Sequence, residues 1–309
     1  MVLVPITSEV SGDYRAGVLS WERALMSANK SPNTLRIYMV TVKALAAFLI
    51  SQGMPTRPDL ITGEHIREYL SGIPTPATRR LRYQTLRTFF GYLVREGEIT
   101  KSPMTNVDAP KVPDDEAGRT FVSPEALDKM LATCRRSRPP SFIDRRDLAL
   151  LLLLRHSGLR RSEAANLLMA DVLADEGTLI VRKGKGAKDR LSAFNRDTSA
   201  ALLRYIERRR DVVRGKPDHG RVFVSENGRS MTGDGIGAIV IRRAKLAGVG
   251  SVSAHELRHL FADQLKRAGA SDETLMSLGG WADAKIVGRY GRSLRRERAL
   301  EEYRRLTDK

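Results

Sequence analysis

The stretch KSPMTNVDAPKVPDDEAG, residues 101–118, constrains the fold more than any other part of the chain, because hydrophobic periodicity stops there while Pro, Asp and Gly accumulate. Such a segment reads as a linker. It divides the sequence into a first domain at 1–100, a linker at 101–118 and a second domain at 119–309. A length of 309 residues leaves room for two domains, each with its own core.

Before the linker the pattern is helical. Residues 31–53 open with Ser31 as N-cap and Pro32 at the first helical position, then set Leu35, Met39, Val42, Leu45 and Leu49 on one face. A shorter helix surrounds Trp21, another follows Thr62, and residues 75–97 repeat the start of Thr plus Pro. The first domain is therefore expected to be a helical bundle. After the linker a helix starts at Ser123 and Pro124, and a longer one covers Asp144 to His156 and stops at Ser157 and Gly158. Residues 177–194 then alternate about a turn rich in Gly and Lys, as a β-hairpin does, and RVFVSENGRSMT at 221–232 offers a second hairpin. The fold class expected is mainly α with a small β component: a helical N-terminal domain plus a mixed α/β C-terminal domain.

The formal net charge is +17. Lys plus Arg minus Asp plus Glu gives 13 − 8 = +5 for residues 1–107 and 40 − 28 = +12 for 108–309, so both parts suit a polyanionic partner. In the helix at 75–97, Arg79, Arg80, Arg82 and Arg87 interleave with Leu81, Leu86, Phe90 and Leu93, which leaves one packing side and a cationic remainder. These arginines, with Lys43, Arg242 and Arg243, are the candidate nucleic-acid contacts. The N-terminus lacks the basic start of a signal peptide, and LALLLLL at 148–154 is far shorter than the ~20 residues of a membrane span. A cytoplasmic protein without membrane association is expected. The single cysteine, Cys134, excludes an internal disulfide and a multi-cysteine zinc site, and is expected to serve packing.

HELRH at 255–259 fits two chemistries. As HExxH it matches a zinc protease helix, with Glu256 as base. Ser253 and Glu256, however, form a capping box, and Arg258 lies on the face that His255 and His259 would share. A guanidinium about 6 Å from Zn²⁺ is repelled by roughly 5 to 6 kcal/mol at an effective dielectric near 20. No metal is expected. As HxxR the same arginine becomes a paired donor to phosphate oxygens, with an imidazole beside it.

Other segments supply what that chemistry needs. HSGLRRSEAANL at 156–167 ends one helix at Gly158 and starts the next after Arg160; GKGAKDR at 184–190 is the hairpin turn; SLGGWADAKIVGRYG at 277–291 ends on Tyr290. Together with HELRH, in this order and spacing, these segments resemble the tyrosine recombinase, or phage integrase, family across residues 14–309.

The resemblance implies a site built from Arg160, Lys185, His255, Arg258, Trp281 and Tyr290, with Glu163 orienting Arg160 and His259 standing behind His255. Tyr290 is the implied nucleophile, forming a 3′-phosphotyrosyl bond. Its unperturbed pKa of about 10 leaves roughly 0.1% phenolate at pH 7, so His255 is the expected base. Lys185 is the expected acid for the leaving 5′ oxygen, with Lys183 and Lys188 as substitutes. Trp281 is a departure, since the family usually has histidine there; an indole donates but exchanges no proton near neutral pH. No cofactor is implied, because the covalent bond conserves the energy for religation.

Implied partners are double-stranded DNA core sites, further protomers in a homotetramer docked through the terminal helix at 293–309, with docking of that helix on its own domain as the alternative, and accessory DNA-bending or directionality factors. With about 14 residues before the first helix, no separate arm-site domain is expected. The biological role expected is integration of a phage or mobile element. The alternatives are a dimer-resolving, Xer-like recombinase and, further off, a type IB topoisomerase or a DNA-binding protein without catalysis.

Overall fold

A computed structural model describes residues 10–112, 122–182, 189–288, 303, 304 and 307. The chain forms two compact units, Met1–Arg119 and Thr120–Lys309. Lys183, Lys185, Lys188, Tyr290 and most of the expected terminal helix lie outside the described residues.

In the first unit the described helices are α1 (Gly12–Ser27), α2 (Pro32–Ser51), α3 (Gly63–Ser71) and α4 (Pro76–Arg95). Ser31 caps α2 by accepting from the Thr34 N–H, 3.1 Å, while Thr75 makes no such side-chain bond at the start of α4. The apolar stripes meet around Trp21, which stacks on Tyr38 at 5.2 Å and packs against Phe89 at 5.1 Å. The buried Tyr14 hydroxyl donates to the Val42 carbonyl at 2.7 Å, so its polar end is satisfied inside the core. By length and composition α2 is apolar enough to cross a membrane, yet it carries Arg36 and Lys43 and buries Met39, Val42, Leu45 and Leu49 in this bundle. The expected linker is in part packed chain: Met104 and Val107 join the core of the first unit, and Tyr83 Oη donates to the Val107 carbonyl at 3.1 Å. Two apolar residues three apart suffice to anchor a segment that has no periodicity.

The second unit is organised around α6 (Phe142–Ser157), with α5 (Pro124–Thr133) before it and α7 (Arg161–Asn166) after it. α6 is buried on nearly every side, which is why its sequence reads LALLLLL; it packs against α8 (Arg196–Val213) and α10 (Ala254–Arg267). Strands β1 (Val172–Leu173), β2 (Thr178–Val181) and β3 (Arg190–Ala193) form an antiparallel sheet in that order, with Val181 opposite Arg190. Further helices are α9 (Gly233–Ala247), α11 (Asp272–Gly279) and α12 (Ala284–Val287).

The second expected hairpin is present as a short turn: Val224 bridges Ser230 in antiparallel fashion, the Ser225 N–H donates to the Arg229 carbonyl at 2.8 Å and the Met231 N–H to the Phe223 carbonyl at 3.1 Å. Side chains satisfy further backbone groups of its first arm. Tyr205 Oη donates to the Val222 carbonyl and accepts from the Val224 N–H, and Arg209 Nε donates to the carbonyls of Arg221 and Val222.

Arg243 is corrected. It is buried, not a surface contact, and donates to Asp147 at 2.7 Å, to Asp144 at 2.9 Å and to the Thr133 carbonyl at 3.1 Å. Asp147, fully buried, also accepts from Arg146 at 2.9 Å and from Arg242 at 2.5 Å. Arg242 thus spends part of its charge on the fold, although about half of its side chain is exposed. Charge patterning hid this, because the acidic partners stand almost a hundred residues earlier. Burial raises the Asp144 carboxyl, but hydrogen bonds from Ser141, Arg243 and Ser137 outweigh it and hold the group at about 2. Replacing Asp147 with Asn leaves buried guanidinium groups without their counter-charge. The expected result is a loss of about 3–5 kcal/mol in the unfolding free energy of the second unit, read by urea denaturation.

Candidate active site

The site forms where three chain segments end near one another: the C-terminus of α6, the start of β3 and the exit from α11. Gly158 closes α6 in the left-handed region at φ 60, and a Cβ there would sit 2.3 Å from the Phe261 ring. The chain therefore turns sharply and presents Arg160 as the cap of α7. The Glu163 side chain accepts from the Arg160 N–H at 2.8 Å and from its Nη1 at 2.7 Å, so one carboxylate fixes both the backbone and the guanidinium of this arginine. The remaining arm, Nη2, donates to the Gly280 carbonyl at 3.1 Å.

Glu163 has a second cationic partner that the sequence did not reveal. Arg190, buried at the start of β3, donates from Nη1 and Nη2 to the two Glu163 oxygens at 2.9 and 2.8 Å, and from Nε to the Leu278 carbonyl at 3.0 Å. Burial pushes the Glu163 carboxyl up; the hydrogen bonds from Arg190 and Arg160 more than offset this and hold it at about 2. A legible signal existed, since Arg190 ends the GKGAKDR segment, but nothing in a hairpin pattern says which way its root residue points.

Arg258 enters from α10. The capping box at its start is formed as expected, Ser253 N–H to Glu256 at 2.7 Å and Glu256 N–H to Ser253 at 3.3 Å, which commits Glu256 to the helix end. The Arg258 guanidinium is almost fully buried and donates to the carbonyls of Gly158 and Gly279, the latter at 2.7 Å. Trp281 lies over it with the ring centroid 3.9 Å from Cζ, a cation–π contact in a dry setting. Trp281 is itself buried and stacks toward Phe261 at 6.5 Å. His255 is exposed one turn before Arg258, its ring edge-on to His259 at 4.3 Å between centroids.

Arg160 and Arg258, about a hundred residues apart in sequence, are thus held by the adjacent carbonyls of Gly280 and Gly279. The glycine pair is required by space: a Cβ on Gly279 would stand 1.8 Å from the Trp281 ring, and one on Gly280 2.9 Å from Arg190. Among the described residues, the three guanidinium groups bonded here to Glu163 or to the glycine carbonyls, set against the Glu163 carboxylate, sum to 3 − 1 = +2. An anionic phosphate is the complementary ligand. Lys185 and Tyr290 lie outside the described residues.

Residues 120–297 match the model described as Phage integrase family. The chain belongs to that family. It is a tyrosine recombinase, an enzyme class that transfers DNA strands. Tyrosine recombinase XerC of Oceanobacillus iheyensis is 31% identical over 82% of this chain and 83% of its own length; XerC of Myxococcus xanthus is 30% identical over 84% and 87%. Among solved structures, a lambda integrase dimer bound to a COC′ core site aligns with TM-score 0.68 at 21% identity, covering 89% of this chain and 94% of that one. XerH recombinase bound to a palindromic difH substrate aligns with TM-score 0.71 at 19% identity, covering 96% and 90%. Both share the fold.

The arginines expected to contact nucleic acid in this recombinase divide by environment. Arg79 donates twice to the Ile73 carbonyl, at 3.0 and 2.6 Å, and so closes the loop before α4. Arg80 reaches the Pro110 carbonyl at 3.4 Å, and Arg82 donates to the Tyr69 hydroxyl at 2.6 Å. Arg87 is exposed and Lys43 half-buried.

Two outcomes follow from the geometry. Glu163→Gln is expected to cost on the order of 3 kcal/mol at neutral pH, from a folded value near 2 against the ordinary 4.5. Because the folded value is depressed, this stability is present above 4.5 and lost as pH falls toward 2, so thermal melts of wild type and variant converge across that window. Gly279→Ala drives a methyl into the Trp281 ring and is expected to cost about 1–3 kcal/mol. A shift in Trp281 emission, read in a Trp21→Phe background, reports the displacement.

Proposed function

We propose that this tyrosine recombinase is of the Xer type, a site-specific enzyme that resolves DNA dimers by cutting and rejoining short core sites. The observation that carries the catalytic part is the convergence of Arg160 and Arg258 on neighbouring carbonyls, with Trp281 stacked on the second. The Xer assignment replaces the mobile-element integrase favoured from sequence alone. Its support is that relatives named XerC and XerD match over more than four-fifths of both chains.

In this reading the scissile phosphate binds against the +2 cluster. Attack by Tyr290 on phosphorus builds negative charge on the nonbridging oxygens, and preorganised donors such as Arg160 and His255 meet that charge without reorganising. Arg258 adds its charge from beneath Trp281, and direct contact with the phosphate requires the Gly279–Trp281 segment to shift. His255 takes the Tyr290 proton, with His259 orienting it, and Lys185 protonates the departing 5′ oxygen. The resulting 3′-phosphotyrosyl bond keeps the energy of the broken diester, and the free 5′ hydroxyl of the exchanged strand reverses the step.

Duplex DNA is the partner. Arg82 and Arg87 are assigned to its phosphates, and protomers assemble as a tetramer through the terminal helix.

Incubation with nicked core-site DNA followed by a denaturing gel tests the chemistry. Wild type is expected to form a covalent protein–DNA band that Tyr290→Phe lacks; a band in both moves the nucleophile elsewhere. A supercoiled plasmid with two directly repeated sites tests the role. Two product circles support resolution, relaxation alone supports a type IB topoisomerase, and a footprint without a covalent band supports a non-catalytic DNA-binding protein.

A further inference from the structure

We infer that Arg190 is a positioning residue for strand cleavage, tying the root of the lysine hairpin to the carboxylate that holds Arg160 and to the chain segment that holds Arg258. The inference rests on the site reading above and goes beyond it, since Arg190 touches neither the phosphate nor the reacting atoms in that reading.

Arg190 occupies the first position of β3, two residues beyond the segment 183–188 that carries Lys185. Its planar fork makes a two-point bond to Glu163, which fixes orientation as well as distance, something a lysine ammonium cannot do. Its Nε bonds Leu278, immediately before the two glycines whose carbonyls hold Arg258 and Arg160. One buried side chain is therefore bonded to α7 and to the exit of α11 while belonging to β3 itself. Gly280 makes room for it, because a Cβ there would stand 2.9 Å from Arg190 Cδ, Nε and Nη1.

Val181 faces Arg190 across the strand pair, so the hairpin enters and leaves the turn beside this anchor. Buried as it is, the side chain has no access to bulk anions, which separates it from the exposed arginines of the surface. Loss of the fork leaves Arg160 as the cationic partner of Glu163 among the described residues, and the carboxylate is then protonated at higher pH than in wild type. A protonated Glu163 loses its two-point hold on Arg160.

The test is single-turnover cleavage of nicked core-site DNA from pH 5 to pH 9 by wild type, Arg190→Gln, Arg190→Lys and the double variant Glu163→Gln/Arg190→Gln, with folding checked by circular dichroism and DNA binding by gel shift. Arg190→Gln is expected to cleave about 100-fold more slowly at neutral pH, the order of loss that misplacement of a reacting group by ~1 Å produces. Its acidic limb should lie at higher pH than that of wild type. Arg190→Lys keeps the charge without the fork and is expected to recover part of the rate; should Arg190→Gln not fold, the comparison of Arg190→Lys with wild type carries the same reading. The double variant should lack the displaced limb, because the titrating group is gone. A rate for Arg190→Gln or Arg190→Lys equal to wild type, or lowered by one constant factor at every pH, overturns the inference while the site reading stands. A wild type that forms no covalent band overturns both.

Discussion

Like charges do not gather without cost, and the second unit collects guanidinium groups at one place with little side-chain counter-charge. What makes that arrangement stable is the supply of oxygen acceptors: the Glu163 carboxylate between Arg160 and Arg190, and main-chain carbonyls of Gly158, Leu278, Gly279 and Gly280. Carbonyl dipoles offset repulsion without cancelling net charge, so the cluster stays positive and ordered at once. An additional acidic side chain would have offset the repulsion further and weakened the positive field of the cluster.

The same acid–arginine chemistry is used differently at the other end of α6. There Asp144 and Asp147 face the buried Arg146 and Arg243 and the half-exposed Arg242, and the pairing holds helices together. Breaking such a buried set costs more than forming it gains, so its value lies in fixing α5, α6 and α9 in one register. The contrast shows why a count of arginines says little about function. Arg243 and Arg160 belong to the same basic composition, and only the exposure and the partners of each distinguish a strut from a site.

Helix starts were legible because Ser31, Ser123 and Ser253 are local signals, and the glycine at 158 marks a stop that any sequence pattern exposes. The helical first unit, the hairpin and the pairing of His255 with Arg258 on one helix face could be read for the same reason, since each rests on residues close to one another in sequence. What could not be read depends on distant partners. The fork of Arg190 on Glu163, the burial of Arg243 and the capture of the Val222 carbonyl by Tyr205 each join segments that are well separated in sequence, and periodicity carries no information about them. Residues 101–112 show the converse: a segment without periodicity still packs, because Met104 and Val107 join the core of the first unit.

The carbonyls at positions 279 and 280 belong to the peptide backbone, and substitution of neighbouring side chains cannot delete them. The aromatic at position 281 is thereby released from the task of locating the arginines and is left to roof one of them. An imidazole and an indole can then exchange there during divergence, altering proton traffic at the rim while the buried electrostatics stay where they were. Glycine, the least conspicuous residue in the motif, is the part such drift has least freedom to replace.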